Sequence, residues 1–156
     1  MEKKKESGNQ PVRVGISIGD VNGIGPEVVM KALNDTRMLQ DCTPVIYGST
    51  KVLNYHKKPL NLREFNYMTV KSADDIKKRK VNVINIWEDE VIFEMGQATE
   101  TGGKYAFESL EHATKDLASG KIDVLVTAPI SKEAMAENTN ILKIKINKVH
   151  TTSTKK

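Results

Sequence analysis

Four short apolar runs punctuate the chain: VRVGISI at 12–18, PVIYG at 44–48, VNVINIW at 81–87 and IDVLVTAPI at 122–130. Each is rich in valine and isoleucine and bounded by turn residues, the pattern of a β-strand. The first and last lack clean alternation of apolar and polar positions, which predicts burial on both faces, as in a parallel sheet. Between the runs the apolar period becomes helical. Residues 26–33 (PEVVMKAL) place Val28, Val29, Ala32 and Leu33 on one side, and 104–118 place Ala106, Phe107, Leu110, Ala113 and Leu117 at helical spacing. Gly120 then stops the second helix. A weaker helix is predicted over 72–79, capped by Ser72 with Asp74 and Asp75 in its first turn. Residues 56–71 are too mixed to assign.

Strand, helix and strand in repetition imply parallel crossovers with helices covering the sheet, hence a layered α/β fold. With 156 residues the chain fits one ordinary domain. Three segments are expected: a solvated N-terminal tail (1–11), an α/β body (12–135) and an atypical tail (136–156). The last is rich in Asn, Lys, Ile and Thr, with ILKIKINKV alternating strictly before TTSTKK. It reads either as a lysine-protected edge strand with a frayed end or as a frameshifted or truncated segment translated out of frame from adenine-rich DNA.

The charge follows this division. The net +4 comes from the last segment, where five lysines face one acid, and the body is neutral. A basic footprint confined to a tail argues against a nucleic-acid surface. The N-terminus has no apolar stretch behind its lysines, which argues against a secretory signal or membrane anchor. The single cysteine, Cys42, excludes an internal disulfide framework and favours a reducing, cytoplasmic location.

Gly19-Asp20-Val21-Asn22-Gly23-Ile24-Gly25-Pro26-Glu27 follows the first strand and opens the first helix. Its glycines permit tight turns, and Pro26 suits the first helical position. The free N–H groups of a helix start attract anions, but Asp20 and Glu27 already bring two carboxylates there, so the loop is a poor phosphate cradle. It either shapes the cleft above the sheet, through Asp20, Asn22, Gly23, Gly25, Pro26 and Glu27, or contacts a ligand directly. The spacing G-x-x-x-G-x-G also matches short-chain dehydrogenases, which need Y-x-x-x-K on a helix. Tyr47 with Lys51 and Tyr67 with Lys71 satisfy that spacing, one pair starting in a predicted strand and the other in the unassigned stretch.

Three ordered segments together, GDVNGIGPE (19–27), MGQATETGGKYAFESLEHA (95–113) and DVLVTAPISKEA (123–134), resemble the N-terminal part of the 4-hydroxythreonine-4-phosphate dehydrogenase family of vitamin B6 biosynthesis. Val21-Asn22 departs from the proline and alanine more usual in that family. The resemblance implies a three-layer α/β/α fold of the isocitrate/isopropylmalate dehydrogenase-like type, present here as an incomplete first domain. It further implies a homodimer with sites near the interface, a small phosphorylated substrate, NAD as oxidant and a divalent metal (Zn, Mg or Co). The implied reaction is oxidation of a secondary alcohol by NAD followed by loss of carbon dioxide, on 4-phosphohydroxy-L-threonine or a related four-carbon sugar-acid phosphate.

For site residues the resemblance implies substrate contacts by Thr127 and Lys132, which with Pro129 match the family's T-x-P-x-x-K. Lys132 would hold the substrate phosphate or carboxylate, or else stand solvated on a first helical turn. The family's next element is G-H-T-E. His150-Thr151 is the one His-Thr pair here, but Val149 and Thr152 replace the glycine and glutamate, and the spacing from Lys132 is longer. The family's metal-binding histidines lie beyond that element, where this chain has none, so no metal site is expected in it. His112 is expected to be solvated, and His56 stands beside Lys57 and Lys58, where a cation would be repelled.

Overall fold

The computed structural model describes residues 10–62, 64–131 and 134. Among these, a five-stranded, wholly parallel sheet is built from β1 (Val12–Ser17), β2 (Cys42–Gly48), β3 (Met68–Val70), β4 (Asn82–Asn85) and β5 (Val124–Thr127), in the spatial order β3-β4-β2-β1-β5. The main helices are α1 (Gly25–Leu33), α2 (Thr50–Leu60) and α3 (Glu100–Ala118). All four apolar runs therefore contain the expected strands.

Alternating side chains of the sheet feed two cores. On one face Ile16, Ile46 and Val83 pack with Val29, Met30 and Leu33 of α1 and Val52 and Leu53 of α2. On the other, Val45, Tyr47 and Ile84 pack with Ala113 and Leu117 of α3 and with Ile122. Covering both faces gives the three-layer α/β/α arrangement and explains why β2 reads as a continuous apolar run. Ser109 of α3 ties the layers together. Its fully buried hydroxyl donates to the Tyr47 carbonyl at 2.6 Å and accepts from the Ile18 N–H at 3.0 Å. Ser109→Ala leaves both backbone groups without that partner, and urea titration should find the variant about 2 kcal/mol less stable.

Four expectations need correction. The burial predicted for the last strand fails: β5 is at the sheet edge among the described elements, and Val124 and Val126 are 42% and 51% exposed. The apolar stripe of α1 is rotated from the expected one. Pro26, Val29, Met30 and Leu33 are buried, whereas Val28 and Ala32 are exposed, because the sheet meets α1 through its Met30 side.

The helix expected over 72–79 is only a short turn, Ala73–Asp75. Ser72 does cap it, accepting from the Asp74 N–H. Its continuation fails because the N–H groups of Lys77 and Arg79 go to the Asn82 and Thr43 side chains, and Arg79 adopts a positive φ of 55°. Conversely, part of the unassigned stretch lies in α2. Ser49 caps α2, and the Asn85 side chain accepts the N–H of Thr50. One of its inward positions is a histidine, His56, which hides the apolar period. The second predicted helix begins at Glu100 rather than 104, capped by Thr99, and ends before Gly120 at φ 77° as expected.

Candidate functional site

The site grows from the C-terminal ends of β1 and β5, which lie side by side. Ala128 N–H donates to the Ser17 carbonyl and Asp20 N–H to the Pro129 carbonyl, both at 3.1 Å, so the glycine loop and the segment after Thr127 are laced together. Gly19 permits the lacing: it has φ 76°, and a Cβ there would stand 2.4 Å from the Pro129 carbonyl oxygen. The carboxylate of Asp20 then folds the loop back on itself, its Oδ1 accepting the Asn22 N–H while its carbonyl accepts the Gly23 N–H.

Asn22 joins this loop to the segment before α3. Its Oδ1 accepts the Glu94 N–H at 2.9 Å, its Nδ2 donates to Thr99 Oγ1 at 3.0 Å, and its carbonyl accepts the Gly96 N–H at 2.8 Å. The first turn of α3 fits closely because Gly102 has no side chain: a Cβ there would meet Asn22 Nδ2 at 3.0 Å and Asp20 Oδ1 at 3.1 Å. The result is a cavity of about 470 Å³ lined by Asp20, Asn22, Gly23, Gly96, Gln97, Ala98 and Ser131. In open α/β sheets ligands gather in such crevices beyond the carboxyl ends of the strands.

Of the residues expected at the site, Asp20, Asn22 and Gly23 line this cavity. Gly25 packs against the Ile18 and Pro129 carbonyls and Pro26 is buried, so both set the start of α1. Glu27 is turned to Lys31 in an (i, i+4) ion pair, which leaves Asp20 as the one charged side chain among the described residues of the cavity lining. Thr127 is exposed at the end of β5. Lys132, His150 and Thr151 lie outside the described residues, although Ser131, just before Lys132, is in the lining.

Sequence reading missed three contributors. Gly96, Gln97 and Ala98 carried a signal in the MGQATETGG motif, whose place above the sheet only the fold supplies. Thr99 and Ser131 signal as helix-start residues: Thr99 caps α3, and Ser131 Oγ accepts the Ala134 N–H. The third, His56, was expected beside Lys57 and Lys58 but is buried, on the inward side of α2 with Val52 and Leu53. Its Nε2–H donates to the Val21 carbonyl at 2.8 Å, and its ring meets the edges of Tyr55 and Phe93. His112 is exposed, as expected.

Burial holds the His56 imidazole below its ordinary value of 6.5, against opposing contributions from the Val21 carbonyl and the charges of Glu27 and Asp20. A depressed histidine binds its proton in the unfolded chain first. His56 therefore costs stability as pH falls below about 6.5 toward the folded value and contributes no slope above it. Replacing it by glutamine, which keeps a donor near the Nε2 position, should flatten the acid side of the unfolding free energy measured against pH.

Neither Y-x-x-x-K pair forms the dyad of a short-chain dehydrogenase. Tyr47 sits in β2 and Lys51 in α2, and they are committed elsewhere, Tyr47 to Asp116 Oδ2 and Lys51 to the Glu88 carbonyl. Burial, reinforced by that carboxylate, pushes the Tyr47 phenol up and away from any role as a base near neutrality. Tyr67 donates to Asn54, and Lys71 follows β3 rather than standing on a helix. Among the described residues, no group of three His, Cys, Asp or Glu side chains could hold a metal, and no helix is long and apolar enough to cross a membrane.

Comparison with known proteins agrees with this geometry. The family model described as pyridoxal phosphate biosynthetic protein PdxA matches residues 40–146, running past the change of composition at Ala136. A 4-hydroxythreonine-4-phosphate dehydrogenase of Bacteroides thetaiotaomicron is 42% identical over 124 residues, covering 80% of this chain and 34% of the relative. A Clostridium botulinum protein provisionally named a D-threonate 4-phosphate dehydrogenase is 32% identical over 134 residues, covering 83% and 39%. The crystal structure of a 4-hydroxythreonine-4-phosphate dehydrogenase from Burkholderia phymatum superposes with a TM-score of 0.70 at 28% identity, covering 82% of this chain and 39% of that one. The chain thus spans little more than a third of the length of these relatives. Its parallel sheet, its laced glycine loop and these likenesses place it in one lineage: the chain belongs to the PdxA family of pyridoxal phosphate biosynthetic proteins.

Proposed function

We propose that this chain is the N-terminal portion of an NAD-dependent dehydrogenase that oxidises and decarboxylates 4-phosphohydroxy-L-threonine in vitamin B6 biosynthesis. The observation that carries the reading is the cavity between Asp20–Gly23 and Gly96–Ala98, formed by two of the three segments that carry the family likeness and edged by Ser131 from the third. The described residues do what a dehydrogenase needs of its first domain. They close one wall of a crevice with backbone and buried side chains, and they keep a single fixed carboxylate, Asp20, facing into it. A bound nicotinamide would supply the hydride acceptor. The described residues do not fit a divalent metal, so no step is assigned to one; in this reading its ligands, the partner protomer of a homodimer and the rest of the site belong to sequence beyond this stretch.

Lys132, next after the cavity-lining Ser131, is assigned to the substrate phosphate or carboxylate, with His150 and Thr151 as further substrate contacts. In the chain extended to the length of its relatives, Lys132→Ala should raise the substrate KM at least tenfold. An unchanged KM and kcat would remove Lys132 from the site.

The test of the activity is NAD reduction with 4-phosphohydroxy-L-threonine and added divalent metal, on the 156-residue chain and on the extended chain. Turnover by the extended chain alone is expected. D-Threonate 4-phosphate is the second substrate to assay, because the Clostridium botulinum relative carries that name. Preference for it would replace the vitamin B6 substrate, and inactivity toward both would overturn the dehydrogenase reading.

A further inference from the structure

The edge strand β5 leaves apolar side chains uncovered on the α1 face of the sheet. Val124 and Val126 stand in register with Val14 and Ile16, so they share the face on which Ile16 packs against α1, yet they are 42% and 51% exposed. Gly25 marks the flank of α1 nearest to β5, since a Cβ there would meet the Pro129 carbonyl oxygen at 3.2 Å. At 3.6 residues per turn, Ala32 lies about 20° and Val28 about 60° around the helix from Gly25. Both are exposed. The Glu27–Lys31 ion pair falls on the opposite flank. Val124 and Val126 thus floor an open apolar ledge, and Val28 and Ala32 wall it.

The backbone of β5 is open on the same side. The Ala128 N–H donates to the Ser17 carbonyl, so by the alternation of a parallel ladder the Val126 N–H also turns toward β1, while the N–H groups of Leu125 and Thr127 point to the free edge. Among the described strands, none pairs with β5 there.

Residues 141–149, outside the described part, have the pattern such an edge accepts. Leu142, Ile144 and Ile146 alternate with Lys143, Lys145 and Asn147, giving one apolar face to cover the ledge. The lysines on the other face discourage a further strand from adding. Chain length sets the direction. A parallel return needs a crossover of roughly a dozen residues or more, but the chain up to Ser131 is laced to the glycine loop and lines the cavity, which leaves only 132–140 for it. An antiparallel return needs only a turn, and otherwise parallel sheets commonly carry one antiparallel edge strand. A second copy of the chain would compete for this edge, but a segment tethered by so short a connection has an effective concentration in the millimolar range.

We propose that residues 141–149 add to the sheet as a strand antiparallel to β5, with Leu142, Ile144 and Ile146 laid over Val124, Val126 and the Val28–Ala32 flank of α1. The experiment is amide hydrogen exchange on the isotopically labelled 156-residue chain, together with methyl NOEs. The Leu125 and Thr127 amides should exchange at least tenfold more slowly than in Ile144→Lys, which sets a charge on the apolar face, and amides of β2 should be equal in the two proteins. Lys145→Thr changes the other face and should keep the protection. NOEs from the Ile144 or Ile146 methyls to Val126 or Ala32 are expected. Fast exchange at both edge amides of the unsubstituted chain, or protection undiminished in Ile144→Lys, would overturn the proposal. Protection that rises with protein concentration in step with a dimer seen by sedimentation would assign the edge to a second copy instead. If Ile144→Lys loosens the whole sheet, the NOEs decide, and their absence counts against the strand. None of these readouts involves turnover, so the dehydrogenase reading and this one can fail separately.

Discussion

Gly19→Ala is expected to be the most damaging single methyl that can be added to this chain. Two independent costs fall on one residue. Its φ of 76° is a conformation that costs a non-glycine residue roughly 1–2 kcal/mol. The new Cβ would also lie 2.4 Å from the Pro129 carbonyl oxygen, a backbone atom that cannot rotate away. Relieving the overlap pulls the 128–130 segment off the glycine loop and breaks the Asp20 N–H bond to that carbonyl, at roughly 1–3 kcal/mol for the overpacking. The sum, about 3 kcal/mol, is a large share of the 5–15 kcal/mol typical of a domain. Gly120→Ala is the matched control, because Gly120 has φ 77° but nothing within 4 Å of its added Cβ. Chemical denaturation should show a loss near 1 kcal/mol for Gly120→Ala and about three times that for Gly19→Ala. Equal losses would mean that the contact with Pro129 contributes nothing to the lacing of the site.

Asn22→Ala is expected to open the cavity without unfolding the sheet. Asn22 is 1% exposed, and its side chain supplies both an acceptor to Glu94 N–H and a donor to Thr99 Oγ1. Removing both leaves buried polar partners short and costs about 2–3 kcal/mol, most of it local to the joint between the glycine loop and residues 94–99. Since 1.4 kcal/mol is a factor of ten, hydrogen exchange of the Glu94 and Gly96 amides should accelerate by at least that factor, while amides of β1 and β2 change little. Asn22→Asp separates the two halves of the joint. It keeps the acceptor for Glu94 but loses the donor to Thr99, and it sets a second carboxylate beside Asp20, so it should be worse than alanine above the carboxylate pKa range and recover as pH falls. Unchanged exchange at 94–96 in both variants would show that the loop is held by its backbone alone.

Much of the layered fold was legible because its signal is local. A run such as VRVGISI, without clean alternation, can bury both faces only between two layers of helix, and PEVVMKAL and KYAFESLEHATKDLA have the period of helices that lie on a sheet. The failures have equally local causes. α2 was missed because His56 occupies an inward position, and a buried histidine looks polar until its partner, the Val21 carbonyl, is known. The helix expected over 72–79 failed because its N–H groups are claimed by Thr43 and Asn82, residues 36 and 5 positions away in the chain. For the site, the glycine loop and the Thr127–Lys132 stretch were recognisable as motifs, and Pro129 does meet the loop. His150 and Thr151 lie outside the described residues.

The amino-acid sequence by itself determined the element types of the body, the glycine positions that let the backbone turn, and the family to which the chain belongs, since each depends on residues close together or on an ordered set of motifs. Only the tertiary structure decided which motifs face one another. The closing of Asp20–Gly23 against Gly96–Ala98, the burial of His56 beneath the loop and the exposure of β5 at the sheet edge all depend on contacts between residues far apart in the chain. The physical reason is that a side chain's burial and its hydrogen-bond partners are set by what the fold brings against it, and the order of strands in a sheet is not written in any one of them.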